Sequence, residues 1–95
     1  MAKPNRLLHA IREELFREWD PLGVKDNELC RNEYDSYASA LFRLLLTGAN
    51  EIKVAGRLGV FQRSSMGLSV VHEELDREIA RRLVALAKQR RRSTP

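Results

Sequence analysis

The sequence has little of several features that define common classes of protein. Its one cysteine, Cys30, cannot form an internal disulfide and is typical of a reducing compartment. No apolar run approaches the roughly 18 residues that a membrane-spanning helix needs. No uninterrupted apolar stretch of about 7–15 residues follows the basic start, as it would in a secretory signal. We therefore expect a cytoplasmic protein that does not use a membrane.

Residues that carry out chemistry are also scarce. The two histidines, His9 and His72, have no partner three or four residues away, whereas a metal site needs three or four converging ligands. The sequence contains no Ser-His-Asp order, no phosphate-binding glycine loop and no zinc-ligand spacing. Its many carboxylates leave an acid–base pair open on spacing alone. We expect no enzyme, no metal and no cofactor.

The length of 95 residues suits one domain. Apolar residues recur at three- and four-residue steps, and no alternation long enough for a strand is present. We expect an all-α fold, a small compact bundle of about four mainly antiparallel helices. It would form a single domain over residues 1–95, with an ordered core from about 4 to 89 and a basic tail over 90–95.

The first helix is predicted from Pro4 to Trp19. Pro21 should end it, because proline disfavours helical dihedral angles at the residue before it. Asp20-Pro21-Leu22-Gly23 then matches a type I turn. A short helical turn is compatible with the polar stretch after Asn27.

The second helix is predicted to begin between Asn32 and Asp35 and to run to Thr47, with Gly48 in the left-handed conformation. A shorter third helix should follow an N-cap at Asn50. Its expected inner face is Ile52, Ala55, Leu58 and Phe61, with Val54 nearby, and Gly56 and Gly59 suggest close helix packing.

The fourth helix is predicted from a cap at Ser69 to about Gln89, after a break over residues 64–68. Its apolar stripe includes Leu75 at a central position. Glu73–Arg77 and Glu78–Arg82 are expected ion pairs on the outer face.

Charge is unevenly distributed along the chain. From Glu13 to Asp35 eight carboxylates face three bases, a local charge of −5 in a chain whose total is +4. Residues 52–95 carry a net +6. A negative field beside Trp and Tyr side chains indicates a surface for a basic protein partner. The candidate partner-binding residues are Glu14, Glu18, Trp19, Asp20, Asp26, Glu28, Glu33, Tyr34, Asp35 and Tyr37.

Other interpretations remain open for the same residues. Trp19 and the two tyrosines can instead belong to the core, so we expect them to be anchors only where they are exposed. Asp20 and Asp35 can cap helix or turn amides. The tail Arg90–Arg92, with Lys88, could contact phosphates, which gives the alternative of a small nucleic-acid-associated regulator. No aromatic residue lies near the tail to stack on bases, so nucleic acid is not the expected partner. A purely structural subunit is a third possibility.

Four motifs together resemble a known group of proteins. They are Trp19-Asp20-Pro21-Leu22-Gly23, Glu33-Tyr34-Asp35-Ser36-Tyr37, Leu44-Leu45 with Gly48-Ala49, and Met66-Gly67-Leu68. The chain resembles short all-helical bacterial proteins, mostly uncharacterised, with a WDP(I/L)G…EYDSY…MGL pattern over about residues 7–87. It departs from that pattern in lacking a proline between Asn27 and Asn32 and in its basic C-terminus.

The resemblance implies a function that composition does not. Small proteins of this kind are often immunity partners of polymorphic or contact-dependent growth-inhibition toxins. It implies a protein that is monomeric when free and that binds and neutralises a cognate toxin domain. Many such toxins are nucleases with basic clefts, and an acidic surface would complement such a cleft.

Overall fold

The apolar periodicity of the sequence forms four helices in the computed structural model, which describes residues 6–93 and the side chains of residues 6–89. The helices are α1 Arg6–Glu14, α2 Asp35–Leu46, α3 Glu51–Val60 and α4 Glu73–Ser93. Residues 6–93 contain no strand, which confirms the all-α prediction. The predicted helix start at Pro4 and residues 94–95 of the predicted tail lie outside the described residues.

Two of the helices continue into a wider, π-helical turn. Leu15–Trp19 extends α1, and Phe61–Ser65 extends α3. The π-helical turn Leu15–Trp19 ends where the sequence predicts the end of the first helix. Asp20, which precedes Pro21, adopts a left-handed conformation with φ 33°. Its backbone N–H donates to the carbonyl of Leu15 at 2.9 Å. π-helical turns inside α-helices are frequent at functional sites.

The segment between α1 and α2 is an ordered series of turns. The N–H of Gly23 donates to the carbonyl of Asp20 at 3.1 Å, which confirms a turn at the predicted place. Further along, the side chain of Asn27 accepts a hydrogen bond from the N–H of Leu29 at 3.0 Å. This bond caps a short 3-10 helix, Glu28–Cys30.

The capping residues between α2 and α3 are also as predicted. Gly48 has φ 84°, the left-handed conformation that ends many helices. Asn50 then caps α3, because its side chain accepts from the N–H of Lys53 at 3.0 Å. The conformation at Gly48 and the cap at Asn50 depend on residues within four positions of each other, so the local sequence is sufficient to predict both.

The predicted inner face of α3 is wrong at its N-terminal end. Ile52 is 81% exposed, whereas Val54 and Leu58 are fully buried. An α-helix has 3.6 residues per turn, so burying Val54 and Leu58 on one side of α3 places Ile52 on another side, where it faces solvent.

Close helix packing does not explain Gly56, because a Cβ placed there would meet no atom within 4 Å. At Gly59 the neighbour is the guanidinium of Arg63, on the same chain segment.

The fourth helix begins later than predicted and ends later. The N–H of Leu68 donates to the carbonyl of Gln62 at 2.8 Å, so the chain after Gly67 still folds back along the end of α3. Ser69 therefore cannot cap α4, which begins at Glu73 and extends past the predicted end near Gln89 to Ser93. The side chains of Arg90–Arg92, and hence their predicted contacts, lie outside the described residues.

Of the four helices, α2 and α4 each contact both α1 and α3, and α3 packs most extensively against α4. The core is built from apolar residues of all four helices. Those with no exposed surface are Ile11, Leu15, Ala38, Leu41, Val54, Leu58, Ile79, Ala80 and Leu83. Leu75 is only half-buried at the edge of this core, in contrast to the central position predicted for it.

Candidate functional site

Trp19 and Tyr34, two of the predicted anchors, lie inside the protein. They are 3% and 1% exposed, and their ring centroids are 5.6 Å apart. Half-buried Tyr37 packs edge-on to Trp19 at 6.5 Å and against the ring of Phe61 at 4.8 Å. Trp19 and Tyr34 were expected to be anchors only where they are exposed, and both are buried. These rings join the ends of α1, α2 and α3 and support the surface instead of forming it.

Asp20 organises the start of the segment that follows α1. Its carboxylate accepts hydrogen bonds from the N–H groups of Val24 at 2.8 Å and Lys25 at 3.1 Å. It also accepts one from the hydroxyl of Tyr34 at 2.8 Å, and that hydroxyl accepts from the N–H of Leu22 at 3.0 Å. Burial of the Tyr34 ring raises the pKa of its hydroxyl, and the Asp20 carboxylate adds to this shift. Asp20 is thus a capping residue, the alternative that the sequence left open.

Five acids of the stretch Glu13–Asp35 pair with arginines, and three of them pair with arginines of α1 or of the segment itself. Arg12 forms two parallel hydrogen bonds with Asp35, each 3.0 Å, and Arg31 contacts both Glu13 at 3.0 Å and Glu28 at 3.3 Å. Bidentate guanidinium–carboxylate pairs are among the stronger charged contacts. Glu13 also pairs with Arg17 at 2.9 Å, and the hydrogen bond from Arg17 holds the pKa of Glu13 below the ordinary value.

A distant helix neutralises the acids at the end of α1. Arg82 of α4 contacts Glu14 at 2.9 Å and Glu18 at 3.6 Å. Arg12 and Arg82 both lie outside the stretch Glu13–Asp35, so the local charge of −5 becomes −3 when they are included. The acidic surface is real but weaker than the sequence indicates.

The remaining negative charge is concentrated in one place. We call residues 20–34, which join α1 to α2, the acidic connection. Within it Asp26 and Glu33 are exposed and form no ion pair with any described side chain. Leu29 lies between them in the sequence and is 94% exposed, and Leu22 is 38% exposed. An exposed apolar side chain thus lies within four residues of two unpaired acids, and Leu29 was not among the predicted contact residues.

A buried polar cluster joins the two π-helical turns to α4. Asp76 is 2% exposed and its Oδ1 accepts a hydrogen bond from Trp19 Nε1 at 2.9 Å. Gln62 Nε2 donates to both oxygens of Asp76, at 2.9 and 2.8 Å, and to the carbonyl of Leu58 at 3.1 Å. Burial raises the pKa of Asp76, although the Trp19 and Gln62 donors act in the opposite direction.

Sequence reasoning missed this cluster, although one signal was available. Asp76 precedes Ile79 by three residues and Leu83 by seven, so it lies on the buried stripe of α4. An acid on an apolar stripe needs partners, and the indole of Trp19 is one of the few donors that can be buried with it. The cluster fixes the end of α1 against the start of α4, and so it positions the acidic connection.

A second unusual surface lies on α3. We call Ile52, Lys53, Gly56, Arg57 and Val60 the α3 outer face. Ile52 and Val60 are 81% and 45% exposed, one turn before and one turn after Gly56. Lys53 and Arg57 are exposed, stand four residues apart and form no ion pair with any residue whose side chain the structure describes. The predicted Glu73–Arg77 pair is likewise not formed, whereas Glu78–Arg82 is, at 3.2 Å.

The described residues offer no obvious site for a metal ion. No group of three or more His, Cys, Asp or Glu side chains in that part of the chain is arranged to hold one. His9 is exposed on α1, and His72 is exposed and lies just before α4. Across residues 6–93 no helix is both long and apolar enough to span a bilayer.

Two surfaces thus stand out, the acidic connection with its exposed leucine and the basic α3 outer face. The first contains or adjoins most of the residues that the sequence predicts to bind a partner. Comparison of the chain with known proteins finds no matching family model, no matching curated protein and no matching solved structure.

Proposed function

We propose that the protein is an immunity protein, which binds a basic toxin domain in the cytoplasm through the acidic connection and neutralises it. The observation that carries the proposal is Leu29, which is 94% exposed between Asp26 and Glu33. An apolar side chain that is removed from water on binding contributes affinity, and acids around it select a basic partner.

The acidic connection is held in one shape before any partner arrives. Asp20 accepts three hydrogen bonds at its beginning, and Asn27 caps the short helix that carries Leu29. Arg31 ties the same helix to Glu13 on α1. A segment ordered in advance loses less conformational entropy on binding, so more of the contact energy appears as affinity.

The choice of a toxin as the partner comes from the resemblance of the motifs. Two of them, Trp19–Gly23 and Glu33–Tyr37, form the two ends of the acidic connection. In this chain the two motifs have a structural role, since Trp19, Asp20 and Tyr34 fix the shape of the acidic connection. A nuclease with a basic substrate cleft fits the acidic connection, whose residues 20–34 carry a net charge of −2, because the two fields would steer the encounter.

The proposal predicts a toxin gene beside this protein's gene, and binding kinetics with the domain that it encodes test the proposal. Asp26→Lys combined with Glu28→Lys should slow association and make the rate less dependent on salt, because steering acts mainly on the on-rate. Leu29→Ser should instead speed dissociation by about ten- to a hundredfold, the value of one buried leucine side chain. Surface plasmon resonance at several salt concentrations measures both effects.

A matched control separates local charge from total charge. Glu73→Lys with Glu74→Lys makes the same change in net charge on α4, away from the acidic connection. It should alter association much less than the first pair, and thermal unfolding monitored by circular dichroism checks that every variant remains folded. In cells that carry the toxin, the Asp26/Glu28 variant should lose protection. Full protection with unchanged rates would show that the acidic connection is only a solvated surface.

The alternative is a small nucleic-acid-associated regulator that uses the basic half. One observation favours it: Lys53, Arg57, Arg63 and Arg77 form no ion pair with any described side chain. Against it, none of the six aromatic residues, all within the described range, is exposed for stacking on bases. Fluorescence anisotropy with labelled DNA and RNA decides the matter. Sub-micromolar binding at physiological salt, lost on deletion of residues 90–95, would favour the alternative.

A further inference from the structure

The α3 outer face breaks two local rules of helix stability without a reason inside the chain. Gly56 is exposed in the middle of α3, its φ is not positive, and a Cβ there would meet no atom within 4 Å. Alanine at this position would therefore be more favourable for the isolated helix. Lys53 and Arg57 are like charges four residues apart, which also disfavours a helix. Places where a sequence departs from local rules are often functional.

Gly56 also lines a shallow opening toward α4, with Arg63, Glu73 and Arg77 around it, and we call the exposed backbone at Gly56 the seat. Ile52 and Val60 lie one turn on either side of Gly56 and are 81% and 45% exposed. The neighbouring Gly59 is covered by the guanidinium of Arg63, so the open position is Gly56 alone. A side chain from outside could approach the backbone at Gly56 between two apolar flanks, with Lys53 and Arg57 at the edge.

The acidic connection has the complementary shape and charge. Leu29 projects from a three-residue helix and is 94% exposed, so it is the most exposed of the large apolar side chains described. Asp26 and Glu33 near it form no ion pair, and Glu28 has one, with Arg31. An apolar tip surrounded by acids matches an apolar seat bordered by bases.

We propose that a second copy of the chain occupies the α3 outer face, by placing its Leu29 at Gly56 and its acids against Lys53 and Arg57. The contact does not form within one molecule, because Leu29 is 94% exposed. Each copy carries one such tip and one such seat, so each copy can bind the next head to tail. Such heterologous contacts produce open chains or rings instead of a closed two-fold dimer.

The contact is small, so the association is weak. Contacts that bury little area and depend on few side chains have dissociation constants on the order of 100 µM. At the low concentration of a cell the protein is then mostly monomeric, as the sequence predicts for its free form. Because the same acidic connection binds the proposed toxin, toxin and second copy compete, and one toxin molecule disassembles one contact.

Sedimentation velocity tests the proposal at protein concentrations from about 10 µM to 1 mM. The mass-average mass of the wild type should rise beyond that of a dimer and should fall when salt is raised, because screening weakens the charged border. Leu29→Ser and the double variant Lys53→Glu with Arg57→Glu should each remain monomeric. The matched controls, Leu46→Ser and Arg43→Glu with Lys88→Glu, change exposed residues outside both surfaces and should behave as the wild type.

Mixing the two defective variants gives the decisive result. The Leu29→Ser copy keeps an intact seat, and the Lys53→Glu/Arg57→Glu copy keeps an intact tip. Together they should form a 1:1 dimer and nothing larger. A wild type that stays monomeric at about 1 mM would overturn the proposal and leave the α3 outer face to a different acidic partner. A mixture without dimers, or a wild type that stops at a dimer, would also overturn it.

The two proposals fail separately. The Lys53→Glu/Arg57→Glu variant should bind the toxin domain as the wild type does, because it leaves the acidic connection intact. Loss of self-association with normal toxin binding supports both proposals. Self-association without any toxin binding leaves the head-to-tail contact standing and removes the immunity function.

Discussion

Replacing Trp19 by phenylalanine tests the buried cluster that positions the acidic connection. The change keeps an aromatic ring and removes the Nε1 donor, which lies 2.9 Å from Asp76 Oδ1. A hydrogen bond to a buried charged acceptor contributes about 1.5–3 kcal/mol. The smaller ring gives up about 1 kcal/mol of apolar burial in addition. We expect Trp19→Phe to lower the free energy of unfolding by about 3 kcal/mol near neutral pH.

The pH dependence of this loss identifies its cause. Burial raises the folded-state pKa of Asp76 above its ordinary value of 3.8. The stabilising contribution of Asp76 is therefore complete below that value and is lost as the pH rises through the folded pKa. The Trp19 donor lowers this pKa, so removing it raises the pKa further. The deficit of the variant should be larger at about pH 7 than at about pH 4.

Urea unfolding followed by circular dichroism measures the effect, since Trp19 is the only tryptophan and fluorescence is lost with it. Asp76→Asn provides the control, because an amide does not titrate in this range. On that background Trp19→Phe should show the same deficit at both pH values. A loss below about 1 kcal/mol, or equal losses at both pH values in the wild-type background, would refute the assigned role of Asp76.

Three further predictions concern stability measured by the same assay. Leu41→Ala should cost about 2–5 kcal/mol because Leu41 has no exposed surface, whereas half-buried Leu75→Ala should cost about half as much; equal costs would mean that the core is misplaced. Gly56→Ala should stabilise the monomer by about 0.5–1 kcal/mol, and a destabilising effect in dilute solution would show an unseen contact at that position. Tyr34→Phe should cost about 1–3 kcal/mol, because Asp20 and the N–H of Leu22 each lose a partner; no change would show that the turn does not need the hydroxyl.

The parts of the fold that the sequence predicts correctly depend on nearby residues. Gly48 and Asn50 end one helix and begin the next through contacts within four positions. Pro21 ends α1 through its effect on Asp20, the residue before it. Local steric and hydrogen-bonding rules are sufficient in these places. They failed at Ser69, where a bond from Leu68 back to Gln62 keeps the chain out of a helix.

The candidate site depends on contacts that are distant in the sequence. Asp76 binds Trp19 from 57 positions away, and Arg82 binds Glu14 from 68 positions away. The first contact buries an expected anchor, and the second reduces the acidic charge. Periodicity shows which face of a helix is apolar, but it does not show which charged side chains another helix brings to that surface. Periodicity also does not show that Leu29 is exposed, because its exposure depends on whether another helix covers it, and no described helix does.

Chemical-shift mapping locates the partner surface most directly. The protein labelled with ¹⁵N is titrated with the unlabelled toxin domain, at concentrations low enough to keep it monomeric. We expect the amide signals of residues 22–33 to shift or broaden most, with smaller changes at the end of α1 and none on α3. The largest changes on α3 and α4, with residues 22–33 unaffected, would contradict the proposal that the acidic connection binds the toxin.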